Sequence, residues 1–575
     1  MAKTDLLRSL RSAYHALRNE HQKALEPITV FVDSMMPIQT RMADILPPRP
    51  VCDRLLDQYF VVSEGLYRMV HIPSFQQEYA RYLDGKGCND SFLPRLLCML
   101  CIAAGSGTDS RGLGHDRSTT VHIPTACVLV RHYLDNLRRR HVVDLTALQT
   151  ELLLLQALKT VHPKEQSSWT QLGYIVRMAM TMGLHHDPSE TPSLTPFTGE
   201  CRRRLWFTVL EMDLDASLTR NLPCAIRPGE HSCRAPHNLD DTALLPTTAA
   251  PLPDSQPLDH PTTNHLQAYA ARTLPVRMQA AALLSRLDSR THTPPSYDEV
   301  LAVGTKLEAM LHDVNALFPL RHGERRRGAL LDMHVRRTLL ALYRPFFALG
   351  SSKSDDNNSS SSSNYVPPPE QLTLSYLRSC MAVLGHVEDR QGRGEEAVVV
   401  VVAGEVVEAG LGVCWFISKQ PVPGGGNTDA AAGWGDDEGA ERFCPWSVAA
   451  MVQAVERALD WLVGVVLQQD AGGHAYLRDI VALGVVLEAV QQHGSVEQKV
   501  VKGEARMRRI LEVCRQNVKV PVCSSSRVLF PSLCSLEAVM PASHGLEVHC
   551  TLLTDMITRL RRIKPPTPAP CLTGD

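Results

Sequence analysis

The side chains whose types and spacing invite chemistry are few and far apart. Cys98 and Cys101 form a Cys-x-x-Cys pair, the spacing used by zinc and redox sites. They lie inside the apolar run from Leu96 to Ala104 with no second pair nearby, so on a helix they read as core thiols. His185 and His186 are adjacent; on a helix, neighbours in sequence point apart and do not make a ligand pair. His544, Glu547 and His549 lack the four-residue histidine spacing of zinc proteases. Gly105, Gly107, Gly112 and Gly114 have neither the lysine nor the preceding strand of a phosphate loop. No Gly-x-Ser-x-Gly elbow occurs. The residues therefore predict no catalytic, cofactor-binding or metal site in this chain.

One carboxylate stands out. Asp213 shares a helical face with Trp206, Val209 and Ser217, and an unpaired charge on an apolar face is costly to bury. The expected outcome is a locked partner: Arg177, Arg220 or backbone N–H groups of 218–226. A catalytic role is the weaker alternative, because buried charges are normally paired. The arginine triplets at 138–140, 202–204 and 325–327 suit phosphate or nuclear-import patches. The first two fall in strongly helical stretches, which favours solvated faces or interhelix pairs.

The elements that must position these residues are helices. Trp169, Leu172, Val176, Ala179 and Gly183 repeat on one apolar face, with Ser168 and Gln171 spaced as a capping box. Gly183 and Leu184 suit a left-handed stop, and Pro188 ends the element. A second helix is expected over 200–218, closed by a turn at Leu222–Ile226. Helical periodicity runs from Pro50 to about 350, broken by proline-rich loops at 188–197 and 244–261. No strand–helix alternation appears, so the expected fold is all-α, a multi-helix array.

The expected organisation is a short helical segment at 1–45, with Leu6, Leu10, Tyr14 and Leu17 in a stripe; a main body at 46–350; a disordered serine-rich linker at 351–369; a second helical region at 370–564; and a tail at 565–575. Within the second region the valine run 397–402 reads as helix and 421–439 as a glycine-rich loop. The 575 residues have a hydrophobic fraction of 44% and a formal charge of −2. That balance gives no basic footprint for nucleic acid. The sixteen cysteines are scattered, and no apolar leader precedes them, so they are expected as buried thiols in a reducing compartment. No run is long enough to span a bilayer.

In order and at their intervals, Trp169, Gly173, Arg177, Ala179, then Gly183, Leu184, His185, Asp187 and Pro188, then Arg203, Trp206, Asp213, Ser217 and Pro223 resemble the core motif of the fungal-specific transcription factor domain, the middle homology region of the zinc-cluster regulators. Leu46–Arg49 with His71–Phe75 resembles the opening of that domain. Arg344, Pro345 and Phe346 resemble its late helix, which ends in an arginine-proline-phenylalanine turn. His186 stands where the family usually has arginine, and Asn221-Leu222 where it has glycine-arginine. The resemblance implies a nuclear regulator of RNA polymerase II transcription, not an enzyme. Its partners would be other regulators or a second copy, with a small-molecule effector. The family binds DNA through an N-terminal six-cysteine zinc cluster. The first cysteine here is Cys52, and the 575 residues contain no such cluster. Zinc and promoter DNA are thus implied only through a cluster encoded upstream, or else the chain is a co-regulator or scaffold that pairs with a DNA-binding factor.

Overall fold

The computed structural model describes residues 32, 35–105, 121–137, 144–162, 167–246, 251–287, 295–318, 324–348, 368–391, 403–420, 445–466, 476–491 and 496–517. The expectations for 1–31, 138–140, 351–364, 397–402, 421–439, 544–549 and 565–575 lie outside them. The described regular structure is helical: α1 (Ile38–Asp44), α2 (Arg49–Val62), α3 (Ile72–Leu83), α4 (Phe92–Gly105), α5 (Ile123–Asp135), α6 (Leu145–Val161), α7 (Ser167–Thr181) and α8 (Pro196–Arg220). There follow α9 (His265–Leu287), α10 (Tyr297–Leu317), α11 (Glu324–Ala348), α12 (Glu370–Gln391), α13 (Ala403–Lys419), α14 (Val448–Trp461), α15 (Leu477–Gln491) and α16 (Val496–Asn517). No strand occurs among the described residues.

Prolines set several helix starts. α2 has Arg-Pro in its first turn, and α3, α5 and α8 also carry proline at N1 or N2, where the missing N–H costs nothing. α10 opens with a full capping box between Ser296 and Glu299. At α7 the helix begins at Ser167, so Ser168 lies in its first turn and not at its cap. The Gln171 amide donates instead to Glu151 Oε2 of α6, at 3.3 Å.

The ends of α7 and α8 share one device. Gly183 has φ +72°, its N–H reaches Met180 O, and Leu184 N–H reaches Ala179 O. That is the expected Schellman stop. α8 ends the same way on Asn221, at φ 53°, with Leu222 N–H on Ser217 O. Asparagine tolerates this conformation better than most residues.

α4 packs on α6 and α2, α7 on α8, α9 on α10 and α11, and α11 on α12. One core of buried side chains runs from Met42 to Ile510. α12, α13, α14 and α15 therefore share buried surface with the main body. Gly304 lets α10 and α11 close up: a Cβ there would stand 1.8 Å from the Tyr343 hydroxyl oxygen.

Three expectations change. Residues 188–197 are not all loop, since Pro188–Glu190 form a 3-10 turn and α8 already starts at Pro196. Among its described residues the segment 221–264 holds only the 3-10 turn Asp241–Ala243, because prolines from Pro223 to Pro261 recur too closely for a helix. α11 does not end at Arg344-Pro345-Phe346 but continues to Ala348. Pro345 removes one helical bond there, but Phe346 and Phe347 are buried and Phe347 stacks on Tyr376 with ring centroids 4.6 Å apart.

Candidate functional site

α8 is buried on every side, yet it is strung with Glu200, Arg203, Arg204, Thr208, Glu211, Asp213 and Ser217. A helix this buried must satisfy each polar group internally. The result is a polar spine of three parts.

At the N-terminal end, Asp187 accepts Arg203 Nε at 3.0 Å and Nη2 at 2.8 Å. It also accepts Arg234 N at 2.9 Å, Arg234 Nη2 at 3.0 Å and Ser189 N at 3.1 Å. Burial by itself raises this carboxyl's pKa, but the Arg203 and Arg234 bonds override it and hold it well below the usual range. One turn on, Glu200 accepts His237 Nδ1 at 2.7 Å and Arg204 Nε at 3.3 Å. Arg204 Nη1 then reaches Asp241 at 2.6 Å, which also pairs with Arg68. His71 Nε2 meets Asp241 O at 2.9 Å. The loop before α3, the N-terminal half of α8 and the 3-10 turn at 241 are thereby pinned together.

In the middle, Glu211 is 1% exposed and holds the Arg277 guanidinium of α9, with Nη1 at 2.8 Å, and His334 Nε2 of α11, also at 2.8 Å. Burial opposes ionisation, but Arg277 and His334 bring the carboxyl down to about 2. Asp215 pairs with Arg337 of α11 and with Lys159 Nζ at 3.5 Å. Arg337 also pairs with Glu405 of α13.

At the C-terminal end, Asp213 is 3% exposed and accepts Ala225 N–H at 2.8 Å. This is the backbone alternative among its expected partners. Burial raises its pKa to about 6, against the lowering effect of the Ala225 and Ile226 N–H groups. Ser217 Oγ donates to Pro223 O at 3.3 Å. Arg177 is exposed, and its Nη1 donates to Gly173 O of its own helix at 2.9 Å.

The other residues named from sequence fall around this spine. Trp206 is wholly buried, Ala179 and Leu184 are core, Pro188 is buried against Gly199, and Trp169 is half-buried. Arg344 pairs with Glu408. Of the 202–204 triplet, Arg203 and Arg204 are buried in pairs, while Arg202 donates to Met182 O at 2.5 Å. Cys98 and Cys101 are buried, and desolvation pushes both thiols well above their ordinary pKa, the opposite of a reactive or metal-binding thiolate. Sequence reading missed Arg68, Asp241, Glu211, Arg277 and Arg337. Only Glu211 carried a signal, as a second carboxylate on α8 two residues before Asp213.

The carboxylates of this spine are saturated by cations or backbone donors and sealed in packing. No group of three or more His, Cys, Asp or Glu among the described residues is placed to hold a metal, and no described helix is long and apolar enough to cross a membrane. What these bonds accomplish is the fixing of neighbouring loops and helices to α8.

Residues 56–243 match the model of the fungal specific transcription factor domain. The chain is similar to the transcription factor opdR of Penicillium oxalicum, 34% identical over 317 residues, which cover 52% of this chain and 38% of that protein. It is similar also to the transcription factor lepE of Aspergillus flavus, 29% identical over 52% of this chain and 36% of that protein. The third is the Zn(2)-C6 fungal-type transcription factor pigI of Monascus ruber, 28% identical over 51% of this chain and 35% of the relative. The match thus spans little more than a third of each relative's length. No solved structure matches.

Proposed function

We propose that this chain is the helical regulatory body of a fungal regulator of RNA polymerase II transcription, working in the nucleus and not as an enzyme. The observation that carries this reading is the match of residues 56–243 to the fungal specific transcription factor domain, together with the similarity to relatives named as transcription factors. The buried, saturated spine agrees with a scaffolding role, since a general acid or base must reach a substrate. Its partners are other transcription regulators, a second copy of this chain, and a small-molecule effector. Promoter DNA is reached through a zinc cluster that these 575 residues do not contain, encoded upstream or borne by a partner as in the co-regulator reading.

The test fuses the chain to a heterologous DNA-binding domain upstream of a reporter. A change in reporter transcription, in either direction, is expected. A folded, nuclear fusion with no effect overturns the proposal. A titration of 1–575 against a randomised duplex pool at physiological salt should select no motif, because base-edge readout needs a module this spine does not supply.

A further inference from the structure

The junction between α7 and α8 is covered by a short strap, residues 229–233. His185 O accepts Ser232 N–H at 3.0 Å and Cys233 N–H at 3.1 Å. Asp187 N–H donates to Ser232 Oγ at 3.2 Å, and Ser232 Oγ donates to Glu190 Oε1 at 2.8 Å. Beneath the strap lies the Trp206 indole. The His231 ring stands 5.9 Å from it and 6.2 Å from Phe207, the His185 ring 6.2 Å from it, and the His186 ring 3.9 Å from that of His185. Two imidazoles therefore face one indole, and a third, exposed one packs on the outer of them, His185.

Their polar atoms are the unusual part. His185 Nδ1, His231 Nδ1 and Trp206 Nε1 are all buried without a hydrogen-bond partner among the described residues. A neutral imidazole leaves Nδ1 as a bare acceptor at modest cost. A protonated one places an N–H at Nδ1 with no acceptor in hydrogen-bond geometry, and a positive charge with no paired carboxylate.

The surrounding charges do not help. Arg202, on α8, is bonded to the Met182 carbonyl and not to a carboxylate. Asp187 is occupied by Arg203 of α8 and Arg234 beyond the strap, and Arg203 is also near Glu200. Glu190 lies at the rim, 3.9 Å from His186 Nδ1. Cys233 is a buried thiol, and Glu230 is engaged by the Arg227 N–H.

We propose that the 229–233 strap is a proton-operated latch: neutral His185 and His231 keep it closed over Trp206, and protonation of either one releases it while the Asp187–Arg203 pair keeps the α7–α8 junction in place. Burial lowers the pKa of both histidines below the ordinary value of 6.5; for His185 the neighbouring His186 and His231 add to the lowering, and for His231 a hydrogen bond with the Cys233 backbone opposes it without reversing it. A histidine with a depressed folded pKa favours the closed form above its unfolded value, and that preference is lost as pH falls below it. Asp187, held far below the usual carboxylate range, stays ionised throughout. The latch would let a regulatory domain expose a tryptophan-floored surface in response to acidification.

Hydrogen–deuterium exchange of the full chain at pH 7.5 and 5.5, corrected for intrinsic rates, tests this. Peptides covering 229–233 are expected to exchange about tenfold faster at pH 5.5, while those of α8 and α9 do not change. In His185→Gln/His231→Gln, which cannot take up the proton, the pH response of the strap should vanish. Unchanged protection of 229–233, loss of protection spread over α8, or an undiminished response in the double variant overturns the proposal. Should that variant not fold, C2-hydrogen exchange of individual histidines in the wild-type chain decides: midpoints below 6.5 for His185 and His231 support the latch, and midpoints at or above it sink it.

Discussion

Glu405 of α13 is ion-paired with Arg337 of α11, and the same guanidinium holds Asp215 of α8. Arg344 and Glu408 repeat the link between α11 and α13, and Asp332 of α11 meets His386 Nε2 of α12 at 2.7 Å. α11 is thus the seam along which the residues beyond the serine-rich segment join the main body.

Ending the chain at residue 350 should therefore leave α11 with orphaned charges and a bared apolar face. The expected outcome is loss of cooperative unfolding in 46–350 alone, read by calorimetry against the full chain. Arg337→Ala in the full chain should cost roughly 3 kcal/mol, the scale for breaking one side of a buried pair. A truncated body that melts as cooperatively as the parent would show the seam to be dispensable.

The Glu211–Arg277 pair is sealed in the core at 1% and 2% exposure. Glu211→Gln and Arg277→Met should each destabilise by about 3–5 kcal/mol, because each leaves a buried charge without its partner. Combining Glu211→Gln with Arg277→Met in one chain should cost less than the sum of the two. Denaturant titrations of the four proteins give the coupling, and strict additivity would argue against a direct interaction.

Gly304→Ala sets a methyl 1.8 Å from the Tyr343 hydroxyl oxygen. Overpacking of this kind typically costs about 1–3 kcal/mol. Tyr343→Phe removes the atom that collides and should recover part of the loss. Thermal melts of the single and double variants check both.

Asp213 predicts an unusual pH slope. Its carboxyl ionises near 6 in the fold against 3.8 ordinarily, so the folded state holds its proton more tightly than the unfolded chain. That stabilisation is complete below 3.8, declines as pH rises, and is gone above 6; it amounts to about 3 kcal/mol. Asp213→Asn, whose side-chain oxygen can still accept the Ala225 N–H, should flatten the stability curve across that window and leave neutral-pH stability at or above the parent's. A slope that persists in the variant would assign the titration to another group.

Much of this was legible in the sequence. The period of Trp169, Leu172, Val176 and Ala179 fixes a helix and its buried face, and Gly183 followed by Leu184 fixes its end, because local sterics leave a left-handed stop few alternatives. The ordered motif from Trp169 to Pro223 carried the resemblance to the fungal-specific transcription factor domain. Asp213 was legible as a buried carboxylate since only its own helix was needed to place it. The tertiary structure decided everything that depends on partners distant along the chain. Asp241 sits in a proline-rich loop without periodicity, and nothing local says that Arg68 and Arg204 converge on it. Glu211 finds Arg277 and His334, and Asp215 finds Arg337, only when α9 and α11 pack on α8. Helix identity comes from short-range periodicity and capping, whereas the pairing of buried charges comes from which helices meet, and that choice belongs to the whole fold.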